Sequence, residues 1–114
     1  MNSRQRVLAS IAHNEPEGVP VDLGATPSSG ISAIAYDNLL RILPVRDKRN
    51  WVYDVVQQVA QPSAEVLDYF RIDTVDLGRT FNTHGSDWYD YTLLNGSTAQ
   101  LPTWFRPRRQ ADGS

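Results

Sequence analysis

The stretch VPVDLGATPSSG, residues 19–30, decides how the chain is read. A short apolar run, Val19 to Leu23, breaks straight into a loop of glycine, alanine, threonine, proline and serine. A strand that opens into such a loop gathers hydroxyls and backbone N–H groups in one place, as sites for small molecules require. Pro20 has no N–H to give, which fits a strand start or an edge. The tetrapeptide VDLG returns at Val75–Gly78, at the end of the run IDTVDLG, residues 72–78. Four residues do not make a repeat, but both copies mark an apolar strand running into a glycine loop.

The segments around these two strands read as helices. Ser3 can cap a helix to about His13, with Val7, Leu8 and Ile11 as its apolar stripe, until Asn14, Glu15 and Pro16 stop it. ISAIAYDNLLRIL, residues 31–43, presents Ile31, Ile34, Ala35, Leu39 and Ile42 on one face, with Ser28 or Ser29 as cap and Pro44 as terminator. NWVYDVVQQVA, residues 50–60, places Val52, Val55, Val56 and Val59 near helical spacing, although β-branched valines also suit a strand. Pro62 suits the first helical position before SAEVLDYF, whose inward face is Val66, Leu67 and Phe70. Beyond residue 80 the pattern changes. DWYDYTLLNGSTAQLPTWF, residues 87–105, alternates aromatic and polar residues about Asn95–Gly96, a hairpin signal.

Strand, helical segments and strand imply a parallel pair joined by a right-handed crossover. Two parallel strands cannot form a sheet buried on both faces. Further strands are therefore expected from a longer parent, a second copy or another chain.

Composition limits the alternatives. The 114 residues carry a net charge of −2, are 40% hydrophobic and 21% charged, and include no cysteine. Nothing in that balance advertises nucleic acid or an anionic membrane, and thiol chemistry is excluded from this stretch. The N-terminal apolar run is about five residues, too short for a signal peptide, and no window approaches the roughly 18 apolar residues of a membrane helix. A cytoplasmic protein is the expectation.

The order SRQRVLASIAHNEPEGVPVDLG, ISAIAY, VYDVVQQVAQPSAEVLDYFRIDTVDLG and LPTWFRP…DGS resembles the start of the uroporphyrinogen decarboxylase family, and within it the corrinoid and coenzyme M methyltransferase-like branch. The resemblance implies an α/β fold, the N-terminal part of a (β/α)8 TIM barrel: two parallel strands with covering helices plus an aromatic β-hairpin. Residues 1–80 would supply the helices and the first two barrel strands, and 81–114 the hairpin excursion. Gly24–Gly30 would then stand at the C-terminal rim of the first strand, where barrel active sites lie. True uroporphyrinogen decarboxylases hold substrate carboxylates with arginines in that loop, and end their second strand in an aspartate facing the tetrapyrrole. Here the loop is GATPSSG and the second region reads VDLGRT, with Asp76 displaced and Arg79 near the matching place. The resemblance implies a methyltransferase-type or decarboxylase-type parent, and these two departures from the family pattern favour methyl transfer over porphyrinogen decarboxylation. It also implies a zinc site of late His and Cys residues and a corrinoid protein as partner, none of it carried by these residues.

Candidate site residues follow from the two strand ends. Thr26, Ser28, Ser29 and Gly30 can hydrogen-bond a small polar or anionic ligand, helped by N–H groups at the next helix start; the alternative is that the serines merely cap that helix. Asp22 alternates away from Val21 and Leu23, as a structural hydrogen-bond acceptor would. Arg79 is placed to clamp a carboxylate or phosphate, or else to pair with Asp73 or Asp76. His84 is a candidate acid–base or metal residue, but no second histidine or cysteine stands near it in sequence, and no metal site is assigned. His13 suits a helix C-terminus. Trp88, Tyr89, Tyr91, Trp104 and Phe105 can stack on a planar ligand, or pack against the domain or a second copy. Arg106–Arg109, RPRR, reads as a solvated segment.

Two functions from different classes remain. In the first, the chain is the N-terminal segment of an enzyme barrel that binds a small molecule only when complete, and is inactive alone. In the second, it is a self-associating α/β binding or assembly module, and a non-catalytic paralogue is a third form of the same sequence.

Overall fold

A computed structural model describes residues 1–77 and 82–114. It is mixed α/β, and its sheet is built from segments other than the two strands expected. The elements run α1 (Ser3–Ile11), β1 (Ile31–Ser32), α2 (Ala33–Ile42), β2 (Trp51–Asp54), β3 (Val59–Gln61), α3 (Ala64–Tyr69), β4 (Trp88–Thr92) and β5 (Thr98–Pro102), with 3-10 turns at Pro27–Ser29 and Gly85–Asp87. The sheet order is β1-β3-β2-β5-β4; every pairing is antiparallel except β2 with β5, where Trp51 lies opposite Gln100.

The three expected helices at 3–13, 31–43 and 63–70 are present with shortened ends. Asn2 rather than Ser3 caps α1, through a reciprocal pair with Gln5. Ser32 caps α2 by accepting from the Ala35 N–H at 3.2 Å, because Ile31 and Ser32 are first drawn into pairing with Ala60 and Val59. Neither Ser28 nor Ser29 caps it. The buried face of α2 is Ala33, Tyr36 and Leu40, one step around from the face expected, and Ile42 is left 79% exposed.

The helix expected over 50–60 is instead a β-hairpin. Asp54 accepts from the N–H groups of Val56 and Gln57 at 3.1 and 2.9 Å and so closes a turn, while Gln58 takes a left-handed φ of 52°. That turn ejects Val56 into solvent and buries Val52, Val59 and Ala60 between neighbouring strands, where the branched valines pack well.

Neither Val19–Leu23 nor Ile72–Leu77 is a strand. The two segments still lie side by side. The Asp73 N–H donates to the Val21 carbonyl at 2.8 Å, and the Thr74 hydroxyl to the Asp22 carboxylate at 2.6 Å, so contacts advance together along both chains. A ladder does not follow, because Pro20 lacks a donor and the Val21 N–H donates to the Asp73 side chain rather than to a backbone carbonyl. Arg6 holds the pair in place: its guanidinium donates to the Asp73 carboxylate, the Glu17 carbonyl and the Met1 carbonyl. Val19, Val75 and Leu77 are 82, 63 and 90% exposed.

Packing divides into two clusters. Tyr36, Leu40, Leu43, Val45, Ala60 and Val66 fill the space between α2, β3 and α3. Ala33, Val52, Leu93, Ala99 and Leu101 form a second cluster from the start of α2 to β2 and β5, on the same sheet face, since Val52 lies opposite Ala60. The aromatic hairpin forms as expected, with Trp88 opposite Pro102 and Thr92 opposite Thr98. Its loop has three residues: the Leu93 N–H donates to the Ser97 carbonyl, the Gly96 N–H donates back to Leu93, and Gly96 takes φ +84°. No residue of α1 is fully buried, and its stripe leaves Leu8 and Ile11 half or more exposed. Among the described residues no helix is long and apolar enough to cross a membrane.

Candidate functional site

The loop after Leu23 is held by its own side chains. The Gly24 N–H donates to the Ser29 carbonyl at 3.0 Å, and those of Ser29 and Gly30 donate to Thr26 and Pro27 at 3.2 Å, coiling Pro27–Ser29 into a 3-10 turn. The Ser29 hydroxyl donates to the Thr26 carbonyl at 3.1 Å and accepts from the Thr26 N–H at 3.3 Å. Beneath it Asp22 accepts from the Ala25 N–H at 3.1 Å and from the Thr74 hydroxyl. Partial burial acts to raise the Asp22 carboxyl, but the nearby Ser29 hydroxyl and hydrogen bonds from Thr74 and the Ala25 and Leu23 N–H groups outweigh it and hold it below the usual carboxylate range. Asp22 thus ties the loop to the second segment.

Two glycines have steric reasons. Gly24 takes φ +81°, and a Cβ there would meet the Pro62 ring at 3.0 Å. A Cβ on Gly30 would stand 2.3 Å from Val59 Cγ1 and 3.1 Å from the Pro27 carbonyl oxygen. Gly30 is therefore where β1 passes close over β3. The helix start that was to help bind a ligand is occupied too, since the Ala33 N–H donates to the Gln58 carbonyl and that of Ala35 to Ser32.

A cleft of about 170 Å3 opens beside the loop, where the two neighbouring segments run out. Leu23, Leu67 and Val75 supply apolar wall, and Thr74, Asp76 and Gln61 supply polar atoms. Pro62 forms its floor against Gly24. The structure brings Thr26 and Ser29 together, yet their hydrogen bonds turn inward and neither lines the cleft. Ser28 and Gly30 also stand outside it. Arg79 lies outside the described residues. His84 is exposed at the start of the turn before β4, its N–H accepted by the Asp87 carboxylate, and it is not part of this cleft. Among the described residues no three His, Cys, Asp or Glu side chains group as a metal would need.

Gln61 and Thr74 were not singled out by the sequence. Gln61 lies just past the stretch 50–60 that reads as near-helical and becomes the last residue of β3, so its place at the cleft depends on the hairpin. Thr74 was legible in principle, as a polar residue in the second VDLG-ending run. Chemically the cleft offers one hydroxyl, one amide and one carboxylate over an apolar floor, a set suited to orienting a small hydrogen-bonding molecule.

The aromatic residues pack among themselves. The Trp51 and Trp88 rings stack at 4.8 Å and 10°, Arg49 lies 4.5 Å over the Trp51 ring, and Arg106 lies 3.8 Å over Tyr89. The faces between Trp51 and Trp88 are spent on each other rather than offered to a planar ligand. No family model, curated protein or solved structure matches the chain.

Proposed function

We propose that this chain supplies one wall of a small-molecule site in a (β/α)8-type enzyme of the uroporphyrinogen decarboxylase-like kind, and that methyl transfer, not porphyrinogen decarboxylation, is the parent activity. One observation carries the reading. Val19–Leu23 and Ile72–Leu77 run side by side in the same direction, end at a common cleft, and leave Val19, Val75 and Leu77 uncovered. Such a pair is the beginning of a parallel sheet whose remaining strands and helices lie elsewhere. Isolated, it has greasy faces with nothing against them and a cleft open on one side.

The chemistry of the loop favours the methyl-transfer side of the alternative. Carboxylate-rich tetrapyrroles need cations, and residues 24–30 carry none. The zinc ligands that the resemblance implies are late His and Cys residues; within this chain the work is binding and orientation by Thr74, Gln61 and Asp76.

Coding sequence continuing past Ser114 tests the reading. About six further strand–helix units support it, and a late His-x-Cys with a further Cys supports thiol methylation. A stop codon directly after Ser114 refutes it. In that event the exposed faces favour the second reading, a self-associating module, which light scattering would register as a dimer.

A further inference from the structure

On the sheet face that carries Val52, Ala99 and Leu101, a second cleft of about 200 Å3 opens under the segment that follows β5. Its inner wall is apolar: Val52, Leu93 and Leu101 are 0, 3 and 4% exposed, and Tyr91 and Phe105 are half-buried beside them. Arg108 and Arg109 stand at its mouth; no Asp or Glu side chain lines it, and Gly113 and Ser114, the latter with the terminal carboxylate of the 114-residue chain, complete the lining. Among the described residues neither arginine has a carboxylate within ion-pair distance, whereas Arg6, Arg41 and Arg49 each have one. Arg109 is oriented by donating to the Thr92 carbonyl at 3.3 Å, which leaves most of its five N–H donors free.

We propose that this cleft binds a small monocarboxylic acid with a single-ring or short-alkyl body. An apolar interior rejects the charged end of any ligand, so the body must enter and the charge must stay at the mouth. There two uncompensated guanidinium groups meet it, and their planar forks match a carboxylate better than they match a neutral amide or alcohol. The volume sets the size, being below the roughly 300–1,000 Å3 that takes a drug-sized ligand. A body of about ten heavy atoms gives affinity on the order of millimolar. This cleft lies on different elements from the Gly24 loop, and the proposal is made for the 114-residue chain, whose Gly113 and Ser114 help to line it.

The probe is 3-phenylpropanoate, titrated into the 114-residue chain and followed by the methyl resonances of Val52, Leu93 and Leu101. Saturable shifts confined to that cluster, with Val66 and Leu40 unmoved, are expected. Its neutral amide should bind at least about tenfold more weakly, and so should the acid to the double variant Arg108→Gln, Arg109→Gln. Both arginines are exposed, so the unmoved Val66 and Leu40 methyls also report that the variant is folded. The proposal is overturned if nothing saturates by about 20 mM, if acid and amide bind alike, if the variant binds the acid as the parent chain does, or if shifts spread through both clusters.

Discussion

Gly30→Ala is the most informative single change, because it separates a packing role from a ligand-binding one. The new Cβ would be placed 2.3 Å from Val59 Cγ1, a separation that forces something to move. Val59 cannot swing aside freely: it is β-branched, 7% exposed, and paired through its backbone with Ser32 and Asp54. Overpacking of this kind costs about 1–3 kcal/mol. Against that, Gly30 has φ −77° and ψ 169°, which alanine adopts without strain, so restricting the unfolded chain returns about 0.4–1 kcal/mol. The net loss is about 1–2 kcal/mol, a fall in Tm of roughly 4–8 °C per kcal/mol for a domain near this size. A double-mutant cycle with Val59→Ala makes the argument specific. Removing Cγ1 leaves the 3.6 Å contact with Val59 Cβ, which is ordinary, and the tight 3.1 Å approach to the Pro27 oxygen. In the Val59→Ala background Gly30→Ala should therefore cost less than about half its value in the parent chain. Urea unfolding followed by tryptophan fluorescence reads all four corners of the cycle. If Gly30→Ala is as stable as the parent, or if the two changes simply add, the close approach is not what requires glycine.

Other consequences are simpler to test. Tyr36→Phe removes the hydroxyl that accepts the Ser63 N–H at 3.0 Å, at the cap of α3, and should cost about 1–2 kcal/mol in urea unfolding; no change would mean that water replaces it freely. Gly96→Ala meets no side chain but must hold φ +84°, so it should destabilise by about 1 kcal/mol, and Gly96→Asn by less; equal stability of all three would contradict the three-residue loop. The Asp73 carboxyl is held below its ordinary value by the Val21 N–H, then by the Ser3 hydroxyl and Arg6. Because its folded pKa is depressed, its contribution is present above the unfolded value and disappears as pH falls through the folded one. The urea midpoint should drop between pH 6 and 3, and Asp73→Asn should flatten that slope; an unchanged slope refutes the role.

What the sequence made legible was what local chemistry fixes. Apolar stripes at helical spacing located α1, α2 and α3, and Asn95–Gly96 with flanking alternation located the β4–β5 hairpin, each within a few residues. The segment 50–60 was not legible, because four valines at 52, 55, 56 and 59 satisfy a helical stripe and a strand equally. The outcome was decided by Asp54 closing a turn and by β5 pairing with β2 from about 50 residues away. The pair 19–23 and 72–77 carried strand composition without strand neighbours. Backbone pairing needs partners on the edges, and among the described residues one backbone bond joins them. For the site, the sequence pointed to the hydroxyls of Thr26, Ser28 and Ser29. It could not show that the first and last are spent on each other, or that Gln61 and Thr74 converge beside Gly24 from separate elements.

Hydrogen exchange, amide by amide, in the monomeric 114-residue chain tests the central claim most directly. The amides of Val19, Thr74, Val75 and Leu77 are predicted to exchange at least about 100-fold faster than those of Tyr89, Tyr91 and Leu101 in the hairpin, as an unfinished sheet requires. Protection of 19–23 and 72–77 equal to that of the hairpin, with no second copy bound, would mean that the chain completes this sheet by itself and would contradict the account.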